Sequence, residues 1–502
     1  MTPSARPVLP LAAAAFAGGW ALMMLEILGG RLMAPQFGYS VYQWGAIIGV
    51  VMTFMAAGYW AGGRTGDGPD APRRLVQALL AGAVWAALCP WIGPPMLAHI
   101  AAGSPPDEGA IIAAAALLGV PSFALAMVSP LCAGILNAGQ SGGTAASAGR
   151  VSAVSTLGSI GGTFFAAFAA IPYMGVSAGY GVVSAVLALG LAVLAGGRLF
   201  AGVAALLALA AGPAALKAGE GFALYRESAH NTIYVRDDGV EVRLHLNLLN
   251  ATQTRIRRDG RPTGLYYDLF PVTPSLAAGI APGAAPRVLI LGLAGGAAAT
   301  GIAARWPGAS ITGVELDPAV AEVAYSHFGL GQAAGVRAVV ADARGFVTRD
   351  ENHYDLVIID LYSGASIPFY TATREFFTAV LRRLAPGGAV VMNIAAPADR
   401  DALAGPLAAT LAAAAMDGLD GVGMDGGGPL GLFVADAGRG NHFLIATAGT
   451  TDLEAVRTRL PADSPLSRTL EAAAPAGQPV LTDDRSDIDL RTVAALFGGR
   501  RG

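Results

Sequence analysis

The sequence predicts two structural classes in one chain: a polytopic α-helical membrane bundle, then an α/β domain built on a parallel sheet. Three observations predict it. Ionisable side chains are sparse before Leu216 and ordinary in density after it. The sparse part breaks into apolar runs of bilayer length. The charged part repeats strand, turn and helix from residue 286 onward.

Composition sets the frame. Of 502 residues, 54% are hydrophobic and 13% charged, where a soluble protein carries about 25% charged residues. The mean hydropathy of +0.53 is therefore an average over a membrane part and a soluble part. The length also exceeds one ordinary domain. A net charge of −3 and a pI near 6.1 leave no basic footprint for nucleic acid. Both cysteines, Cys89 and Cys132, fall in apolar runs and read as small buried hydrophobes. No disulfide framework and no metal site is expected. Charges begin within "ALKAGEGFALYRES". The expected divisions are a transmembrane domain at 1–218, a small β-rich part at 219–285 and an α/β domain at 286–502.

A bilayer core takes about 20 apolar residues per helix. The expected spans are 9–34, 43–63, 75–98, 110–138, 151–173, 177–197 and 199–216, about seven helices. Neighbouring helices can accommodate the Pro and Gly that interrupt several of them. The small residues of "TLGSIGGTFFAAFAA" suit close helix packing. The first run is too long for a cleavable signal and carries Glu26 and Arg31, so none is expected. The chain is expected to be multi-pass in the cell (inner) membrane, with its α/β domain in the cytoplasm. Charge pulls the other way. Arg6 precedes the first span, and Arg64, Arg73, Arg74, Arg150 and Arg198 fall in even-numbered loops. With seven spans, the positive-inside rule puts the α/β domain outside. Glu26 is an intramembrane acid, costly enough to suggest a bound cation or a role in proton movement. Pairing with Arg31, or a helix-packing hydrogen bond near the interface, is the simpler account.

The α/β part opens with "RVLILGLAGGAAATGIAARW": a strand at Val288–Leu291, a turn, then a small-residue helix. "SITGVELDPAVAEVAYSHF", "VRAVVADARGFV", "YDLVIIDLYSG", "TREFFTAVLRRL" and "PGGAVVMNI" continue the alternation. Such a series implies right-handed βαβ units on a parallel sheet. Ligands of such sheets bind beyond the carboxyl ends of the strands. Four groups fall there. The turn Gly292, Gly295, Gly296 lets a ligand approach backbone at a helix N-terminus. Glu315 ends the second strand, placed to accept from a ribose diol. Asp342 ends the third, where it and the amide of Ala343 can hold an adenine edge. Asp360 ends the fourth. Any one acid alone could be a helix N-cap; the four groups together point to an adenosine compound.

The order of elements resembles the Rossmann-like class I S-adenosylmethionine-dependent transferase fold, preceded by its small β-rich subdomain. The motifs narrow the resemblance. "YRESAHNTIYVRDDG", "GLYYDLFPVTPSL", "VLILGLAGG", "GVELDPAV", "ADARGFV", "YDLVIIDLYSG", "TREFF" and "LAPGG" resemble the spermidine synthase (polyamine aminopropyltransferase) family in order and spacing. "MLEILGGRLMAPQFG", "GRVSAVSTLGSIGGTFFAAF" and "PVLTDDRSDIDL" resemble its membrane-fused branch, so nearly the whole chain is covered. The resemblance implies that Asp360 is the catalytic base. It would help deprotonate an acceptor amine that attacks the donor's propyl carbon and expels methylthioadenosine. The donor would be S-adenosylmethionine or its decarboxylated form, with no metal. The resemblance further implies Glu315 on the ribose, Asp342 on the adenine, and Asn231 where the family has a nucleoside-binding Gln. Tyr267 matches a substrate-lining Tyr, while Tyr362, Ser363 and Tyr370 belong to the substrate side of the catalytic loop. The expected acceptor is a small amine or a lipid-soluble molecule.

Three departures stand out. Gly295 replaces an Asp that grips the donor's amine, Ser363 replaces a second acid, and Tyr267-Asp268 replaces a Tyr-His pair. Anchors for a dication would have to come from Asp268, Asp483 or Asp484. A neutral residue at 295 also admits intact S-adenosylmethionine, with methyl or 3-amino-3-carboxypropyl transfer. A second class of function is a polyamine transporter with a nucleoside-binding regulatory domain. "AGGRTGDGPDAPRR" resembles the basic second loop of major-facilitator transporters, and half a transporter would need a homodimer. A third is a non-catalytic sensor.

Overall fold

The computed structural model describes residues 8–37, 41–104, 106–138, 144–195, 221–249, 251–281, 283–364, 366–418, 430–488, 491–492 and 495. They belong to two compact units, Met1–Thr232 and Ile233–Gly502.

The first unit holds α1 (Val8–Phe37), α2 (Val41–Thr65), α3 (Ala71–Gly103), α4 (Pro106–Asn137), α5 (Thr144–Phe165) and α6 (Val176–Ala195). A π-helical turn at Ala166–Met174, holding Pro172, extends α5. Among the described residues these six are long and apolar enough to cross a membrane. The expected span 199–216 lies outside the described residues. Glycine sets the packing. A Cβ on Gly158 or Gly162 of α5 would lie 2.2 or 2.1 Å from the carbonyl oxygen of Phe16 or Trp20 on α1. Gly58 of α2 approaches the Phe123 carbonyl of α4 in the same way, at 2.3 Å. Residue order in these contacts makes α5 parallel to α1, and the same ordering makes α2 parallel to α4. Leu28 beside Gly179 and Ala17 beside Gly190 make α6 antiparallel to α1. The α2–α3 and α4–α5 connections therefore lie at the end of the bundle where α1 begins. Cys89 and Cys132 are free and buried.

At the other end, buried Arg31 donates to the carbonyls of Ser228 (2.6 Å), Ala229 (2.5 Å) and His230 (3.0 Å). Glu227 accepts from the Val176 N–H and the Tyr225 hydroxyl. This corrects the expected Glu26–Arg31 pair, which does not form among the described residues. Residues five apart on a helix point about 140° apart around its axis, so Arg31 faces the 228–230 segment and Glu26 does not. Glu26 is half-buried, with no hydrogen-bond or ion-pair partner among the described residues.

The second unit begins within β2 (Thr232–Asp237), which pairs antiparallel with β3 (Glu241–Leu246), itself paired with β4 (Thr254–Arg257); β1 (Leu224–Glu227) precedes it in the first unit. A 3-10 segment at Tyr266–Leu276 leads to the main sheet. That sheet runs β12-β10-β11-β9-β8-β5-β6-β7. Its strands are β5 (Arg287–Leu291), β6 (Ser310–Glu315), β7 (Val336–Val340), β8 (Tyr354–Ile359), β9 (Leu384–Ala395), β10 (Leu430–Gly438), β11 (Asn441–Ala448) and β12 (Glu471–Ala472). From β9 to β7 the pairing is parallel; β10 and β11 are antiparallel additions. Val288–Leu291 and Leu356–Ile359 are at most 1% exposed, as strands covered on both faces must be. The chain winds from β5 outward to β7, then returns to β8 on the other side of β5. The tips of β5 and β8 are thus the switch point, where such sheets bind ligands.

Candidate active site

Gly292 follows β5 at φ +94°, and a Cβ there would lie 2.2 Å from the Asp360 carbonyl oxygen. No side chain fits, so glycine is what lets the two strand tips close. The Asp360 N–H completes the junction by donating to the Leu291 carbonyl at 2.9 Å. Gly296, at φ +81°, precedes α7 (Ala297–Arg305). Between them Ala294 is held at φ +46°, a left-handed conformation that strains a residue with a Cβ. Its N–H donates to Glu315 Oε2 at 2.9 Å, which pins the turn to the tip of β6.

Glu315 is 8% exposed, and its Oε1 accepts from the Asp317 N–H at 3.1 Å. Burial pushes its carboxyl up to about 7, against the pull of those two donors. Asp360 is the other perturbed acid of the rim. Its Oδ2 accepts from the Tyr266 hydroxyl (3.1 Å) and its Oδ1 from Asn393 Nδ2 (2.9 Å). Burial raises it to about 6, and both hydrogen bonds oppose the rise by favouring the carboxylate. Tyr362 braces the same corner: its hydroxyl accepts from the Ala395 N–H at 2.7 Å and donates to the Asn393 carbonyl at 3.3 Å. Asn393 is 2% exposed, and its Oδ1 has no hydrogen-bond partner among the described residues. A buried acceptor left open beside a carboxylate suits a ligand that brings N–H groups.

The remaining expected residues divide. Asp342 caps α9 (Ala343–Arg349), where α8 is Pro318–His327, by accepting from the Gly345 N–H at 2.7 Å. Ala343 is the buried first residue of α9. Tyr370 stands near Asp342, whose charge adds to burial in raising its phenol. Ser363 closes a tight turn through backbone bonds with Ser366. Tyr267 is 4% exposed and belongs to the apolar core with Phe270 and Ile290; its neighbour Tyr266 reaches Asp360. Asp268 accepts from the Gly264 N–H and the Thr263 hydroxyl, a turn-holding role. Asp483 grips Arg344 through both oxygens, and that guanidinium holds its carboxyl below the usual range. Asp484 is exposed and makes no such pair among the described residues. Asn231 lies in the first unit, where its N–H donates to Ser228 Oγ at 2.8 Å.

Two residues that the sequence reading passed over, Tyr266 and Asn393, touch Asp360. A doubled tyrosine and a polar residue inside "AVVMNI" were the available signals. A third is Thr254 on β4. Its Oγ1 accepts from the Gly295 N–H at 2.9 Å, and its side chain lies 2.7 to 3.0 Å from where a Cβ on Gly295 would be. The space beside the glycine turn that a larger residue would need is occupied by threonine.

No protein-family model matches the chain. A stretch of 168 residues is 32% identical to a probable polyamine aminopropyl transferase of Bifidobacterium longum, covering 34% of this chain and 36% of that one. Over 110 residues the chain is 32% identical to the polyamine aminopropyltransferase of Vibrio vulnificus, covering 21% and 37%. The chain thus spans about a third of the length of these curated relatives, and further matches run to methyltransferases. A solved structure of a probable spermidine synthase from Corynebacterium glutamicum aligns at 20% identity with a TM-score of 0.41, over 53% of this chain and 98% of that one. The C-terminal part of the chain is thus similar in sequence to polyamine aminopropyltransferases, and among the described residues six helices long and apolar enough to cross a membrane precede it.

Proposed function

We propose that the protein is a membrane-integral transferase of the spermidine synthase type. It would move an aminopropyl-type group from decarboxylated S-adenosylmethionine to an amine or a membrane-associated acceptor, releasing methylthioadenosine. One observation carries the reading: at the switch point, Asp360 has each oxygen held by a different side chain, Tyr266 and Asn393. An acid so fixed, with its pKa raised to about 6, is ionised near neutrality yet basic enough to take a proton. As the acceptor nitrogen bonds to the propyl carbon, it loses one proton to Asp360. The carbon–sulfur bond breaks, and the sulfur keeps the electron pair. Glu315 and Asp342, with the amides of the glycine turn, would hold the nucleoside. The rate gain would come mostly from alignment and from the carboxylate's attraction for an ammonium.

The Gly295–Thr254 contact favours a second reading, in which the donor is intact S-adenosylmethionine and a methyl or 3-amino-3-carboxypropyl group moves. No carboxylate projects from the turn, and Asp268 and Asp483 are committed to other partners. A decarboxylated donor, whose tail ends in a lone ammonium, would find no acid there. Supplying the purified chain with each donor separately, in the presence of polyamines or a native membrane extract, decides between them. Methylthioadenosine release from the decarboxylated donor alone selects the first reading. Turnover of intact donor alone selects the second, and no turnover of either, with no methylthioadenosine binding by calorimetry, sinks both.

A further inference from the structure

We propose that the groove between α2, α3 and α4 is a binding site for an anionic phospholipid. It has a volume of about 630 Å³. It exists because α2 and α3 both pack on α4. The glycines of α2 draw that helix onto α4, while α3, past Arg74 and Gln77, presents the small side chains of Ala78 and Ala81 to the gap. Phe123 and Met127 of α4 form an apolar floor, and Phe54 of α2 forms one wall. Arg74 and Gln77 line the groove near the start of α3.

The shape and the charge select the same ligand. From Arg74 to Ala81 is seven residues, about 10 Å along a helix, against roughly 15 Å for half of a 30 Å hydrocarbon core. A trough of that length, apolar below and polar at the mouth, fits one acyl chain with its headgroup at the guanidinium. Among the described residues Arg74 has no acidic partner. Asp67 and Asp70 stand in the preceding connection, but neither lines the groove nor pairs with Arg74. Arg73 is exposed beside it, and Arg64 lies over the Trp60 ring at 5.2 Å. Basic side chains at a membrane surface attract anionic headgroups. The apolar lining excludes a free polar anion such as inorganic phosphate as the occupant. This site lies within the membrane unit and does not rest on the transferase reading.

Native mass spectrometry of the full chain, released from mild detergent with added phosphatidylglycerol or phosphatidylcholine of matched acyl chains, tests the proposal. Retention of phosphatidylglycerol should exceed that of phosphatidylcholine several-fold. Arg74→Gln should lower phosphatidylglycerol retention about fivefold, with Arg74→Lys restoring most of it. Ala81→Phe, which fills the trough, should lower retention of both lipids, and unchanged gel-filtration behaviour checks its folding. Equal retention of the two lipids by the native chain, or an unaltered preference in Arg74→Gln, overturns the proposal. So does displacement of phosphatidylglycerol by an equal concentration of palmitate, which would make the occupant a free fatty acid.

Discussion

The two units bury charge in opposite ways. In the second unit each strand-tip acid is met by specific donors: Glu315 by two backbone N–H groups, Asp360 by Tyr266 and Asn393, Asp342 by Gly345. In the first, Glu26 is half-buried without a partner among the described residues. Arg31 donates to the carbonyls of Ser228, Ala229 and His230 in the unit's own tail. In a medium of low dielectric a donor network fixes geometry as well as energy. The second unit uses polar groups to place a carboxylate. The first unit takes its shape from glycine-to-backbone contacts.

The largest effect expected is from Asp360→Asn. It keeps the shape and removes the base, so turnover should fall by about 10²–10⁴-fold while methylthioadenosine affinity, by calorimetry, stays within about twofold. Turnover that survived would remove Asp360 from the chemistry and level the contrast between the units. Next come the glycines, which test whether both units depend on close approach. Gly292→Ala and Gly162→Ala each drive a Cβ to within 2.2 Å of a carbonyl oxygen. Each should cost at least about 2 kcal/mol, read as a lower midpoint in thermal melts of the detergent-solubilised chain. Gly63→Ala, with nothing within 4 Å of its Cβ, should leave the melt unchanged or raise it slightly.

A smaller effect sharpens the account of Asp360. Tyr266→Phe removes a donor to the ionised carboxylate, so the pKa, already raised to about 6, should climb further. The acid limb of kcat/KM should then move to higher pH by roughly half a unit to one unit. Substitution of Tyr267 by Phe should leave that limb in place, since Tyr267 sits in the core. A shift for Tyr267→Phe and none for Tyr266→Phe would reverse the assignment. A raised carboxyl also stabilises the fold only while it holds its proton. That contribution is complete below the unfolded value near 4 and is lost as pH rises through about 6 for Asp360 and about 7 for Glu315.

The last test changes no rate. Arg64, Arg73, Arg74 and Arg150 lie at the end of the bundle where α1 begins, and the carbonyls of Ser228–His230 lie against Arg31 at the other. By the positive-inside rule, His230→Cys in right-side-out spheroplasts should react with an impermeant maleimide. Arg73→Cys should react only after permeabilisation. The reverse pattern would put the arginines outside and the Ser228–His230 end of the first unit in the cytoplasm.

Sequence by itself determined six of the seven expected apolar helices, the strand–helix alternation and the acids at the strand tips. Apolar runs and a repeating pattern are local properties, written within 10 to 30 neighbouring residues. It also placed Asp360 and the glycine turn at one sheet edge, because strand order in such folds follows from connection rules. Only the tertiary structure decided that Tyr266 and not Tyr267 reaches Asp360, since a 3-10 segment turns adjacent side chains to different faces. It also decided that Asn393 supplies the second donor, that Asp483 is tied to Arg344, and that Thr254 fills the space beside Gly295. These contacts join residues 94, 33, 139 and 41 positions apart. Which side chains meet across such distances is set by how strands stack and how closely glycine lets them approach, and no local pattern in the chain carries that information.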